Sequence, residues 1–328
     1  MKKRILSGMR PTGKLHLGNL QGALKNWVDL QNDGRHDCFY FVADWHALTS
    51  DYNTPDRIRE NSLDMVIDWL SAGLDPEKST LFVQSAIKEH AELYLLLGMI
   101  TPLPWLERNP TYKEMRDEMT EKDLGTYGFL GYPVLQAADI IIYKGQGVPV
   151  GVDQLPHVEL TREIARRFNF LYREVFPLPE PLLTAVPKLL GIDGRKMSKS
   201  YDNSIYIGDE GDALKTKVSA MFTDPQRMRR KDPGNPDICN VYRFHQLYTG
   251  ESEVAQINTD CRTAGIGCTD CKKRLYEGML LAMSPIHERR NHYCRHLDLV
   301  SDIIDKGNRR AAAVAKATME EVREAMKI

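Results

Sequence analysis

The sequence predicts an α/β protein: a doubly wound parallel sheet with flanking helices, followed by a mostly helical second part. Three observations carry this. Short apolar runs alternate with helical periodicities through most of the chain. One run, Asp37 to Ala43, carries CFYFVA without polar alternation, as a strand buried on both faces of a parallel sheet does. Beyond about residue 206 strand-like runs give way to helical spacing. With 328 residues there is room for two domains, each with its own core.

The first element is read from Ile5 to Leu24, ILSGMRPTGKLHLGNLQGAL. Arg4-Ile5-Leu6-Ser7 is a short strand, and a loop with Gly8, Pro11 and Gly13 follows. Leu20, Ala23, Leu24, Trp27 and Val28 then recur at helical spacing. A helix N-terminus after a glycine-rich loop offers free N–H groups and partial positive charge to a phosphate. Gly18 allows close approach, and His16 and Asn19 add donors at the same mouth; a glycine-rich turn with a surface histidine is the plainer reading.

After Asp37 to Ala43 come Asp44-Trp45-His46-Ala47-Leu48-Thr49, polar residues at the carboxyl end of a strand, where such sheets bind ligands. His46 is placed in the pocket by that position, with a packed core histidine as the alternative. Thr54 and Pro55 read as an N-cap and first helical residue, and Ile58, Met65, Val66, Trp69 and Leu70 carry the helix to Gly73. Thr80 to Gln84 is the next strand and Glu89 to Ile100 the next helix. Residues from about 102 to 130, with Pro102, Pro104, Pro110 and the charged run Tyr112 to Asp123, read as an insertion between two halves of the fold. In Tyr132 to Tyr143, YPVLQAADIIIY, Asp139 sits inside a strongly apolar run. A buried carboxylate needs a partner, either a protein donor or the polar group of a substrate. Leu155, Val158, Ile164, Ala165 and Phe168 make an amphipathic helix, and Pro177, Pro179, Pro181 and Pro187 a rigid linker leading to Lys188-Leu189-Leu190.

Arg195-Lys196-Met197-Ser198-Lys199-Ser200 follows that linker. Two ammonium groups suit negative charge that develops on a leaving pyrophosphate. Gly191 and Gly194 flank Asp193 and suit a loop that closes over a nucleotide; a solvated lysine- and serine-rich turn is the alternative. Together, His16-Leu17-Gly18-Asn19 and Lys196-Met197-Ser198-Lys199-Ser200 resemble the HIGH and KMSKS signatures of the class I aminoacyl-tRNA synthetases, the first in a form associated with the tryptophan and tyrosine subclass. Tyr132 to Tyr143 resembles the amino-acid-binding helix of the tryptophan enzymes, where the aspartate accepts the indole N–H. That chemistry fits an amino acid whose ring offers one donor and no acceptor. Gln136 lies about one turn from Asp139, at a place where some members carry Met. Val148-Pro149-Val150-Gly151-Val152-Asp153-Gln154 resembles the family's GxDQ segment, with Asp153 on the ribose and Gln154 towards the amino acid's ammonium.

What this resemblance implies is specific. Residues 1–205 form a Rossmann-like catalytic domain whose insertion helps build a homodimer, and 206–328 a helical anticodon-binding domain. The catalytic residues are Lys196, Lys199 and His16. ATP is held by Arg10, Pro11, Thr12, Gly18, Asn19, Gly151, Val152, Asp153, Leu189 and Lys196 through Ser200, the last five including Met197, Ser198 and Lys199. Tryptophan is held by Asp139, Tyr132, Gln136, Gln154 and His46. ATP with Mg²⁺, L-tryptophan and the tryptophan tRNA are the reactants, and the product is charged tRNA. A tyrosine-specific relative is one rival; a metal-containing RNA-binding protein without catalysis is another, opposed by intact Lys196, Lys199, His16 and Asp153.

The cysteines form the last pattern. Cys239, Cys261, Cys268 and Cys271 are spaced x21, x6, x2. In a chain expected in the cytoplasm, clustered thiols point to metal, either zinc or an iron–sulfur cluster, and only one CxxC pair is present. The set resembles that of bacterial tryptophan enzymes with a [4Fe-4S] cluster, whose first gap is x22. Cys38 and Cys294 read as core thiols. Net charge is −1, so RNA contact must come from local patches: Arg227, Arg229, Arg230 and Lys231; Lys272, Lys273 and Arg274; Arg309 and Arg310. No apolar run approaches the ~20 residues of a membrane span, and Met-Lys-Lys-Arg-Ile-Leu is not followed by a signal-peptide core, so a cytoplasmic protein without a membrane partner is expected.

Overall fold

The computed structural model describes residues 2–109, 125–183 and 189–328. Its sheet has five parallel strands: β1 (Lys3–Met9), β2 (His36–Val42), β3 (Ser79–Val83), β4 (Gly147–Val150) and β5 (Glu180–Leu183), in the order β3-β2-β1-β4-β5. The order reverses at β1, as it does in a doubly wound Rossmann-like fold. Helices α1 (Lys25–Asn32), α2 (Asp44–Asp51), α3 (Ile58–Ala72), α4 (Glu89–Ile100), α5 (Tyr127–Ile141) and α6 (Leu155–Leu171) alternate with the strands. Helices α7 (Gly211–Ala220), α8 (Asn240–Tyr248), α9 (Glu251–Arg262), α10 (Cys268–Arg295) and α11 (Leu297–Met326) follow. Among the described residues no helix is long and apolar enough to cross a membrane.

The chain divides into two compact units. One comprises Met1–Lys14, Ala23–Val186 and His296–Ile328, the other Leu15–Gly22 and Pro187–Arg295. This differs from the boundary expected at residue 205 in two ways. Residues 15–22 and 187–205 share the second unit with the helical segment, and α11 belongs to the sheet unit.

In the first unit β1 and β2 pair along their whole lengths, and β2 is buried from Cys38 to Val42. Trp27 of α1 stacks on Tyr40 at 4.5 Å and meets Trp69 of α3 edge-on at 5.3 Å, so three aromatic rings fill one face. The helix expected from Thr54 begins with a tight 3₁₀ turn at Pro55–Arg57, and Thr54 supplies no side-chain cap. The proline-rich linker contains β5, which the prolines conceal. An edge strand tolerates Pro181 because one side of its backbone needs no donor. Pro149 fits in β4 because that strand meets β1 only at Gly147.

At the opposite edge α11 packs against β3. A side chain at Gly307 would lie 1.7 Å from the Leu81 carbonyl, so only glycine allows this approach. Asn308 next to it accepts the Val83 N–H at 2.9 Å and blunts the exposed edge. Arg323 forks onto Glu92 of α4 at 2.6 and 2.7 Å, and Arg310 reaches Asp37 at 3.1 Å. Arg310 thus has an intramolecular partner on the sheet unit. The expected insertion falls mostly on 110–124, outside the described residues; of its remainder, Leu103–Glu107 is a short helix and Tyr127 onward belongs to α5.

In the second unit Leu214 and Val218 of α7, Phe244 of α8 and Leu275, Met279 and Met283 of α10 are buried. His287 of α10 lies 3.0 Å from the Ile207 carbonyl.

Candidate active site

The first unit holds a cavity of about 390 Å³ at the carboxyl ends of β1, β2 and β4, where the strand order reverses. Its wall includes Arg10 after β1, His46 of α2, Tyr132, Gln136 and Asp139 of α5, and Gly151 and Gln154 after β4. All were expected at the site, and one concavity collects them.

Asp139 is fully buried, and its two oxygens meet four donor contacts. His46 Nε2 lies 2.7 Å from Oδ2 and His90 Nδ1 2.6 Å from Oδ1. The Gln84 amide bridges both at 2.8 and 2.9 Å. Burial alone would raise its pKa; the bonds from His46 and His90 outweigh that and hold it at about 2. His90 is tied in turn to the Tyr143 hydroxyl at 2.7 Å. Gln84 and His90 were not singled out in the sequence. Tyr132 lies 2.7 Å from His157, and burial, then the charge of His46, lowers the His157 pKa to about 4. Asp153 and Val152 are exposed, with the Gln154 amide 3.1 Å from Asp153.

Arg10 stands at the cavity with its Nε buried and without a hydrogen-bond partner among the described residues. Its other end reaches Ser50 and, at 3.5 Å, Asp51. Burial pushes its pKa down despite Asp51. Pro11 is buried and Thr12 exposed in the loop after β1.

In the second unit the two signature segments come together. Leu17 N–H donates to the Ile205 carbonyl at 2.8 Å and Ile207 N–H to the Leu15 carbonyl at 2.9 Å. His16 caps the turn Leu17–Asn19: its Nδ1 accepts the Asn19 N–H at 3.2 Å, and the Asn19 side chain accepts the His16 N–H at 3.0 Å. Burial, then the nearby Lys199 ammonium, lowers the His16 pKa to about 4. Gly18 lies against the His16 ring and Met197.

Asn203 organises the loop that carries the lysines. Its amide donates to Asp193 at 2.8 Å and to the Lys196 carbonyl at 3.1 Å, and its oxygen accepts the Ser198 N–H at 2.9 Å. A Cβ at Gly191 would fall 2.3 Å from that amide, so Gly191 serves close packing here. Leu189 and Met197 are buried, Lys196 is exposed, and Lys199 is half-buried. The Ser200 side chain lies outside the described residues. Asn203 is three positions past the signature and carried no signal in the sequence beyond being an asparagine near a turn.

The four cysteines lie in the second unit. Burial, with the mutual proximity of the other thiols, raises Cys271 to about 12, and Cys239 and Cys261 shift upward for the same reasons in the same order, apart from local N–H donors and Arg227 acting against it. Arg227 Nη1 approaches Cys268 Sγ at 3.9 Å and His245 Nε2 approaches Cys271 Sγ at 3.4 Å. Among the described residues no group of three or more His, Cys, Asp or Glu side chains is placed to hold a metal ion. Cys38 is a core thiol as expected, but Cys294 is exposed, because it falls on an outward face of α10.

The family model for class I tRNA synthetases (W and Y) matches residues 1–282. The chain is 56% identical over 326 residues to the tryptophan–tRNA ligase of Thermotoga maritima, covering 99% of each chain. It is 45% identical to that of Aquifex aeolicus, covering 99% of this chain and all of the other. Among solved structures, tryptophanyl-tRNA synthetase from Campylobacter jejuni complexed with ADP and tryptophan superposes with a TM-score of 0.91 at 35% identity, covering 99% of this chain and 100% of that one.

Proposed function

From the premise that this chain belongs to the class I tRNA synthetases of the tryptophan and tyrosine type, we infer that it activates L-tryptophan with ATP and transfers it to the tryptophan tRNA. It is a carbon–oxygen ligase that converts ATP to AMP and pyrophosphate. The amino acid's carboxylate attacks the α-phosphorus, pyrophosphate departs, and the tRNA terminal ribose hydroxyl then takes the acyl group from the adenylate. The attacking group belongs to the substrate, so the protein's work is positioning and charge stabilisation.

The observation that carries the choice of amino acid is Asp139, an ionised carboxylate in the wall of a largely apolar cavity. Tryptophan presents one ring donor and no ring acceptor, and a carboxylate accepts without donating. A tyrosine phenol is both donor and acceptor and calls for a different pair. We assign Asp139, Tyr132, Gln136, Gln154 and His46 to tryptophan. Arg10, Pro11, Thr12, Gly18, Asn19, Gly151, Val152, Asp153, Leu189 and residues 196–200 are assigned to ATP. Lys196, Lys199 and His16 are the catalytic residues. The gathering of residues 15–19 with 196–199 in one unit supports that last assignment. Mg²⁺ accompanies the ATP phosphates and offsets their charge.

Three finer readings belong to the same proposal. The first is a [4Fe-4S] cluster held by Cys239, Cys261, Cys268 and Cys271, supported by the donor chemistry of four thiols that lie in one unit and interact electrostatically with one another. Bound there it would brace the segments these residues occupy. The second is a homodimer, supported by exposed Leu95, Met99, Leu103 and Tyr127 on α4, the short helix after it and α5. The third is cytoplasmic residence, where the tRNA is. Tryptophan- and tyrosine-dependent ATP–pyrophosphate exchange, measured side by side, tests the main reading: exchange with tryptophan alone is expected, and equal exchange with both overturns it.

A further inference from the structure

The reading that Asp139 accepts the indole N–H meets a difficulty of access, and the inference here rests on that reading. A carboxylate has about four lone-pair sites. In this structure three donors already cover both oxygens: His90 on Oδ1, His46 on Oδ2, and the single Gln84 amide nitrogen bridging the two. The carboxylate is also 0% exposed, so an indole N–H reaches it only where a covering side chain moves away. One of the three side chains must leave when tryptophan arrives.

Two of them are locked. His90 is fully buried, its second ring nitrogen is on the Tyr143 hydroxyl, and its ring lies among Phe41, Phe82 and Tyr143. Gln84 is also fully buried, and its amide oxygen accepts the Trp45 N–H at 3.1 Å. Releasing either would strand a buried polar group. His46 differs. It lines the cavity, retains some exposure, and meets Tyr132 edge-on at 6.1 Å. Its Nε2–H approaches the carboxylate as a flat, aromatic N–H, the same kind of group that the indole presents.

We propose that His46 is an internal stand-in for the tryptophan ring: its Nε2–H occupies the indole's place on Asp139 Oδ2 in the free enzyme and leaves when the indole N–H takes over, while Gln84 and His90 hold the carboxylate in place. The carboxylate is then never without its full set of donors, and the substrate's ring bond is exchanged for an internal one. Discrimination against a ring that lacks N–H is therefore moderated in the native enzyme, because such a ligand leaves His46 where it is.

The test uses tryptophan and 3-benzothienylalanine, in which sulfur replaces the indole N–H. In ¹⁵N-histidine-labelled enzyme, the His46 Nε2–H resonance, assigned by its absence in His46→Leu, should lose its carboxylate-bonded downfield position on saturation with tryptophan. It should keep that position with benzothienylalanine, and the His90 resonance should stay with both. In His46→Leu the ratio of benzothienylalanine Kd to tryptophan Kd should rise at least about tenfold, since only tryptophan can then complete the charged acceptor. Effects of His46 on the shared amino-acid moiety cancel in that ratio. A His46 resonance unmoved by tryptophan overturns the exchange, whatever the variant does. If Asp139→Asn in the same series still lowers tryptophan selectivity, the Asp139 reading survives that failure; if it changes nothing, both fall together.

Discussion

Replacing Asn203 with alanine should disable the lysine loop while leaving the cavity around Asp139 intact. The side chain is 1% exposed and makes three hydrogen bonds: two donated, to Asp193 and the Lys196 carbonyl, and one accepted from the Ser198 N–H. Each is worth about 1 kcal/mol net, and the groups left unpaired raise the total to about 2–4 kcal/mol. These bonds fix the backbone on both sides of Met197, so that cost falls on the arrangement of Lys196 and Lys199. If the arrangement is needed chiefly as pyrophosphate leaves, kcat for ATP–pyrophosphate exchange drops roughly 30- to 1000-fold. Tryptophan affinity, read by fluorescence titration, should change less than about twofold, because every residue assigned to the amino acid lies in the other unit. Asn203→Asp should do worse than alanine, since it sets a second carboxylate against Asp193 at hydrogen-bond distance. A thermal melt separates loop disorder from global unfolding. The reasoning fails if exchange survives within threefold in the folded variant, or if tryptophan affinity falls in step with exchange.

Lys199→Ala should lower adenylate formation by two or more orders of magnitude with tryptophan binding nearly unchanged; collapse of tryptophan affinity with normal turnover would place this lysine elsewhere. Asp139→Asn should weaken tryptophan selectivity and leave the ATP KM close to native, and unaltered tryptophan kinetics would remove this carboxylate from the site. Cys268→Ser should cut tRNA charging more than pyrophosphate exchange, and anaerobically purified native protein should be brown with broad absorption near 400 nm, as clusters with an open iron d shell are; stoichiometric zinc without iron would refute the cluster. Acid should destabilise the fold well before carboxylates titrate. His16, His157 and His245 are all lowered from 6.5 to about 4, chiefly by burial. The fold therefore keeps them neutral while the unfolded chain protonates. Stability is complete above pH about 6.5 and is lost as pH falls towards 4, each well-buried histidine contributing up to about 1.4 kcal/mol per pH unit in that window. A urea midpoint constant from pH 7 to 4.5 would contradict this.

Much of the fold was legible because each early strand announces itself by a fully buried face. Cys38 to Ala43 is an unbroken apolar run, Leu81 to Val83 a shorter one, and the expected helix Glu89–Ile100 has the bounds that the structure shows. What stayed hidden follows from prolines and from distance. β5 is four residues with Pro181 inside, and local composition reads such a stretch as linker. Only its neighbour β4 makes it a strand. Likewise α11 looks like one more helix of the helical part. Its membership of the sheet unit turns on Gly307 meeting Leu81 and on Asn308 capping Val83, contacts over more than 200 residues that no periodicity encodes.

The site divides along the same line. Residues that must present a particular chemical group to a ligand, such as the lysines of KMSKS or the aspartate in an apolar helix, carry a type and spacing that can be read directly. Residues that hold those groups in place do not. Gln84 and His90 have no distinguishing neighbours in sequence, and either could be an ordinary buried amide or ring. They matter because β3 and α4 deliver them to both oxygens of a carboxylate on α5. Asn203 is similar: an asparagine beside a turn is commonplace, and three bonds to Asp193, Lys196 and Ser198 make it the brace of the loop. The supporting shell follows from the fold's geometry, and the cysteine set shows the converse. There the spacing speaks of metal while the described side chains do not close around one, because donor type is written locally and donor geometry is set by contacts between distant segments.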